Sequence, residues 1–165
     1  MKYLGIIVIV LFCSCSSTIY IVRHAEKAAT APGGSSDVPL TTAGEERAIV
    51  LKNELAGKHI TEVFSTNYNR TRSTAKPTAD QFGLTVTIYA PPQPDDAFIN
   101  LLRSKRKNIL VVGHSNTIDD IANKLAGSTV VPGDLPETEF DNLFILKKKK
   151  NKYVFSKKKY GAASH

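Results

Sequence analysis

Cysteine is almost absent from this sequence of 165 residues: Cys13 and Cys15 are the only two. Both precede the bulk of the chain, which therefore has none left for an internal disulfide and must be stabilised by its core alone. A long apolar run is missing as well. Tyr3 to Phe12 falls well short of the roughly 20 residues that a membrane-spanning helix needs. Acidic residues are sparse between 76 and 107, where only Asp80, Asp95 and Asp96 occur. The basic residues are not interleaved with aromatics in any nucleic-acid-binding pattern, so no nucleic-acid partner is expected. A histidine pair without a third ligand at suitable spacing makes a poor zinc centre, and neither a metal nor a cofactor is expected. With 42% hydrophobic and 22% charged residues the composition is that of a globular domain and excludes wholesale disorder.

The first residues read as a leader. Lys2 supplies a positive start, Tyr3 to Phe12 have the length of a signal-peptide apolar region, and Cys13-Ser14-Cys15-Ser16-Ser17 follows. These residues resemble the lipobox of bacterial lipoproteins, with Cys15 as the lipidated first residue of the mature chain and Ser16-Ser17 as a short tether. Phe12, three residues before Cys15, departs from the usual leucine. The expected organisation is a leader over 1–15 and one domain over 18–161, exported and lipid-anchored to the bacterial cell envelope. Cleavage before Cys15 removes Lys2 and takes the net charge from +7 to +6.

Beyond the leader, apolar segments that run into polar ones alternate with helical patterns. Ile19 to Val22 is a strand buried on both faces that ends in Arg23-His24. Ala28 to Pro39 is a loop rich in Ala, Gly, Ser and Pro. Thr42 is the expected N-cap of a helix, with Glu45 completing a capping box and Gly57 closing it. Thr61 to Ser65 is a second strand, followed by a helix from about Tyr68 to Phe82 with Pro77 as its obstacle. Gly83 to Tyr89 reads as a third strand, Asp95-Asp96 open a helix through Leu102, and Asn108 to His114 is another buried strand. A helix from Thr117 to Leu125 is closed by Gly127. Asn142 to Lys150 and Lys152 to Lys159 form a lysine-rich hairpin. This alternation predicts an α/β three-layer sandwich with a mostly parallel central sheet.

In such a sheet the carboxyl ends of the strands converge on one edge, so Arg23-His24, Arg70 and His114 are expected to meet in a pocket. Two imidazoles and two guanidiniums suit a phosphoryl group: one histidine attacks phosphorus while the other groups hold its oxygens. At these residues the chain resembles the histidine phosphatase superfamily, the phosphoglycerate-mutase-like fold. The Arg-His-Gly/Ala signature stands as Arg23-His24-Ala25 and the Leu-Thr-x-x-Gly helix start as Leu40-Thr41-Thr42-Ala43-Gly44. The arginine segment stands as Ser65 to Ala75, and the second histidine segment as Val112-Gly113-His114-Ser115-Asn116.

The resemblance implies that His24 becomes a phosphohistidine. Arg23 and Arg70 would hold the phosphoryl oxygens, a protonated His114 would stabilise the transferring group, and Ser115 and Asn116 would add phosphate-binding donors. Arg72 reads as peripheral, because residues two apart on a helix do not share a face. The general acid is not evident. Asp95 is the candidate put forward, with a helix N-cap as its competing reading; Asp96, Asp119, Glu139 and Asp141 remain open. The implied activity is metal-independent phosphomonoester hydrolysis of an extracytoplasmic phosphorylated small molecule or glycan. The chain is short like the phosphohistidine-phosphatase branch, but export argues against that substrate. The rival reading is a polyanion- or surface-binding lipoprotein with a vestigial phosphatase fold, drawn from Lys147 to Lys150, Lys152 and Lys157 to Lys159.

Overall fold

The computed structural model describes residues 17–90, 95–150 and 152–164. The leader and Cys15 lie outside them, as does part of the proline-rich turn after residue 90. Six strands, β1 (Thr18–Arg23), β2 (Ile60–Ser65), β3 (Val86–Ile88), β4 (Asn108–Gly113), β5 (Asn142–Lys149) and β6 (Lys152–Lys159), form one sheet in the order β3-β2-β4-β1-β5-β6. The first four in that order run parallel, and β5 and β6 are antiparallel to their neighbours.

Alternation along each strand sends side chains to two separate cores. Ile19 and Ile21 of β1, with Ile109 and Val111 of β4, pack under α3 (Asp96–Ser104) and α4 (Ile118–Ala126) through Ile99, Leu102, Ile118 and Ile121. Tyr20 and Val22, with Leu110 and Val112, pack on the opposite face under α1 (Thr42–Leu55) and α2 (Asn69–Gln81) through Leu51, Leu55, Ala75 and Ala79. The result is the three-layer α/β sandwich, with its central strands apolar on both faces. Among the described residues no helix is long and apolar enough to cross a membrane.

Several boundaries differ from the sequence reading. Thr41, not Thr42, caps α1, its hydroxyl accepting from Gly44 N–H at 3.2 Å. Gly57 does not close that helix: a 3-10 turn spans Ala56–Lys58, and His59 takes the left-handed conformation at φ 49°. The third strand shrinks to Val86–Ile88 because Gly83 and Leu84 are spent on closing α2, donating to Asp80 and Ala79 carbonyls. Helix α2 continues through Pro77; the carbonyl that loses its donor belongs to exposed Ser73, where solvent can replace it.

Candidate active site

The chain crosses from β1 through α1 to β2, outward to β3, and back through α3 to β4, which lies between β2 and β1. This reversal puts the carboxyl ends of β2, β4 and β1 side by side, the place where an open α/β sheet leaves a crevice. A cavity of about 280 Å³ opens there, lined by Arg23, His24, Lys27, Tyr68, Arg70, His114, Ser115, Asn116, Thr117 and Glu137.

His24 follows the last residue of β1 and is only 3% exposed. Its N–H donates to the Gly113 carbonyl at 2.9 Å, and the next N–H, of Ala25, donates to Thr74 Oγ1 on α2 at 2.9 Å. These bonds fix the bend at which the strand ends. The start of α1 presses against the same bend: a Cβ on Gly44 would overlap the Glu26 carbonyl oxygen, which is why the helix start carries glycine there. Next to it, Arg47 holds Glu26 through Nε and Nη2 and reaches the Tyr160 and Ala162 carbonyls, so this half-buried ion pair ties α1 and the C-terminal segment to the site's flank.

The ring of His24 has a defined tautomer. Nδ1 lies 2.8 Å from the Ala25 carbonyl oxygen, which can only accept, so Nδ1 carries the proton and Nε2 keeps its lone pair. Burial, followed by the positive charge of Arg23, His114 and Arg70, outweighs that hydrogen bond and lowers the pKa to about 3. The imidazole is therefore neutral near pH 7. His114 faces it with ring centroids 5.5 Å apart. Its Nε2 lies 2.9 Å from Thr66 Oγ1, which donates to Thr71 Oγ1 at 3.0 Å; Thr71 in turn donates to the Thr66 carbonyl. Burial, then Arg70 and Arg23, lowers the His114 pKa to about 4. The protonated His114 expected from the sequence is thus corrected for the free site: it is neutral at neutral pH.

Two guanidiniums flank the imidazoles. Arg23, 2% exposed, stacks over Phe140 at 4.3 Å and donates through Nη1 to the Pro136 and Glu139 carbonyls. Arg70 lies over Tyr68 at 4.4 Å and donates through Nη1 to the Ser36 carbonyl of the 28–39 loop. The Nε–H of each is buried and has no hydrogen-bond partner among the described residues. A buried donor without an acceptor costs its full desolvation, and a phosphoryl oxygen would repay it.

The carboxylate that sequence reasoning missed is Glu137. It accepts from Ser115 Oγ at 2.6 Å and from Arg23 Nη2 at 2.8 Å, and the Ser115 bond, then Arg23, holds its pKa below the usual range. Its side chain is 73% exposed, so it stands at the mouth and not in the depth of the pocket. Asp95, the candidate acid from the sequence, is placed elsewhere: its Oδ1 accepts from Phe98 N–H at 2.8 Å as the N-cap of α3, and it is not among the described residues lining the cavity. Asp96 pairs with Lys124, Glu139 with Asn142 and Lys159, and Asp141 with Lys159 and Ser164. Arg72 bonds Asn69 on the exposed face of α2.

The family model of the histidine phosphatase superfamily (branch 1) matches residues 19–91. A probable phosphoglycerate mutase GpmB from Yersinia pestis (strain Pestoides F) is 29% identical over 119 residues, 70% of this chain and 54% of that one. The chain thus spans about half the length of the curated relatives it matches. Among solved structures, a putative phosphohistidine phosphatase SixA from Agrobacterium tumefaciens superposes with a TM-score of 0.65 at 19% identity, covering 88% of this chain and 97% of its own. A putative alpha-ribazole-5'-P phosphatase from Escherichia coli gives 0.64 at 17% identity, covering 85% and 95%. These structures share the fold.

Proposed function

We propose that this chain belongs to the histidine phosphatase superfamily, whose family model matches residues 19–91, and is a phosphomonoester hydrolase acting through a phosphohistidine on His24. The observation that carries the reading is the pair of buried, unpartnered Nε–H donors of Arg23 and Arg70 beside a neutral imidazole. A phosphoryl dianion supplies what both donors lack. Nε2 of His24 attacks phosphorus, the P–N bond forms, and the P–O bond to the leaving group breaks in line with it. Arg23, Arg70 and His114 stabilise charge on the phosphoryl oxygens, with donors near Ser115 and Asn116 at the start of α4. A bound dianion also favours a proton on His114.

Glu137 is the proton carrier in this scheme. In the free site it is ionised because Ser115 and Arg23 hold it so. A dianion that draws on Arg23 weakens that hold and favours the protonated carboxyl. The acid then donates to the leaving oxygen, and the carboxylate accepts a proton from the water that splits the P–N bond. No metal takes part, so turnover is expected to survive chelation with EDTA.

The substrate in this proposal is an extracytoplasmic phosphorylated small molecule or glycan, and the anchor is lipid on Cys15. The leader pattern from Lys2 to Cys15 supports the anchor and the extracytoplasmic location. The test is steady-state hydrolysis of an aryl phosphate by the wild type, His24→Ala and Arg70→Ala. Loss of at least a thousandfold in kcat/KM for both variants is expected. Wild-type turnover in His24→Ala would remove the nucleophile from the scheme.

A further inference from the structure

The strands of the parallel half begin at the end of the molecule opposite the cavity, roughly 20 Å away for strands of this length. That end is basic from several separate elements. Lys58 precedes β2, Arg106 and Lys107 precede β4, and Lys147, Lys149, Lys150 and Lys152 crowd the tip of the β5–β6 hairpin. All are exposed, and none forms an ion pair among the described residues. The carboxylates toward this end are already matched: Glu62 with Lys105, Glu54 with Lys158, Asp80 with Lys76. Other acids, including Asp37, Asp95, Glu137, Glu139 and Asp141, lie toward the cavity end.

Hydrogen bonds join these elements into one surface. Asn108 at the start of β4 accepts from Thr18 N–H through Oδ1 and donates through Nδ2 to the Lys58 carbonyl, at 2.9 and 2.6 Å. The Lys148 N–H donates to the Ser17 carbonyl at 2.8 Å, and its Nζ donates to the Arg103 carbonyl at 2.6 Å. Edge protection against strand pairing accounts for lysines on β6 but not for Lys58, Arg106 and Lys107, which are on other elements. The hairpin turn also keeps lysine where glycine or asparagine is the usual choice: Lys150 sits at φ 56°.

The described chain enters at this same end, through Ser17 beside Lys148. Cys15 is two residues upstream, and two residues span at most about 7 Å. A lipid at Cys15 would therefore hold the basic end within about one Debye length of the headgroups. We propose that this end is a docking surface for an anionic phospholipid bilayer, which it meets by charge, turning the cavity away from the membrane. The orientation rests on the lipoprotein reading of Cys15; the docking surface does not rest on catalysis.

The test is co-sedimentation of the full chain carrying Cys13→Ser and Cys15→Ser, so that no lipid contributes, with phosphatidylglycerol–phosphatidylcholine vesicles and with pure phosphatidylcholine vesicles. At least tenfold stronger partition onto the anionic vesicles is expected at 50 mM salt, falling steeply at 500 mM. Lys147→Glu/Lys149→Glu/Lys150→Glu/Lys152→Glu should abolish the preference, and Arg106→Glu/Lys107→Glu, on a different element, should reduce it severalfold. Aryl phosphate turnover in the same samples should be unchanged, which separates lost docking from lost folding and from failure of the catalytic reading. Equal partition onto both vesicle types, or an undiminished preference in a hairpin variant whose circular dichroism spectrum and thermal midpoint match the parent's, would overturn the proposal.

Discussion

In the proposed scheme His24 combines two demands that oppose each other in water. A nucleophilic imidazole must be neutral, yet phosphate binding calls for a cluster of positive charge. Burial and the neighbouring cations meet both at once, lowering the His24 pKa to about 3 and that of His114 to about 4. The consequence for stability has a definite sign. Each imidazole titrates near 6.5 when unfolded, so between roughly pH 6.5 and 4 the unfolded chain binds more protons than the native one and stability falls as pH falls. Urea midpoints should drop across that window, and a His24→Gln variant should show a shallower slope. A pH-independent midpoint would contradict the neutral pair. Glu137 gives a second residue-level test. Glu137→Gln should slow alkyl phosphates, whose leaving oxygen needs a proton, by about 10²-fold or more, and barely change aryl phosphates with acidic phenols. An equal loss for both would remove it as the proton carrier.

Among the elements, the first turn of α1 and the connection from α4 to β5 shape the site, and they were unequally legible in the sequence. The glycine of the helix start could be read from its spacing, and the structure supplies the reason in the Glu26 carbonyl. Gly44→Ala should destabilise by about 2 kcal/mol or more, as overpacking against backbone does. Gly57→Ala, where a Cβ meets nothing and φ is not positive, should be neutral or stabilising by about 0.5 kcal/mol. Chemical denaturation of the two variants checks both, and similar losses would argue against the close approach at Gly44. Glu137 was hidden because residues 127–141 have no helical or strand period to assign them a place. The structure places it: β5 pairs antiparallel with β1, Leu143 beside Val22, so the residues just before β5 lie at the cavity end. Asp95 carried two readings for a local reason, since the residue that caps a helix and the residue that donates a proton are the same side chain types; the structure has it as the cap.

At the scale of the molecule, the strands and the meeting of Arg23, His24, Arg70 and His114 near their carboxyl ends follow from apolar runs that lead into polar residues, whereas the strand order is known from the structure. What was not legible was charge geometry. A lysine run in the sequence says nothing about which end of the sheet it joins, and only the pairing of β5 with β1 brings it to Ser17. Export and lipidation, read from Lys2 to Cys15, predict that Cys15→Ala releases the protein from the membrane fraction of expressing cells; unchanged partitioning would sink the lipoprotein reading. The central claim, covalent catalysis at His24, is tested most directly by rapid-quench labelling with a reactive aryl phosphate, followed by mass spectrometric mapping. The account predicts an acid-labile, alkali-stable phosphoryl adduct on Nε2 of His24 that forms faster than steady-state turnover. Turnover with no adduct there, or an adduct on another residue, would contradict it.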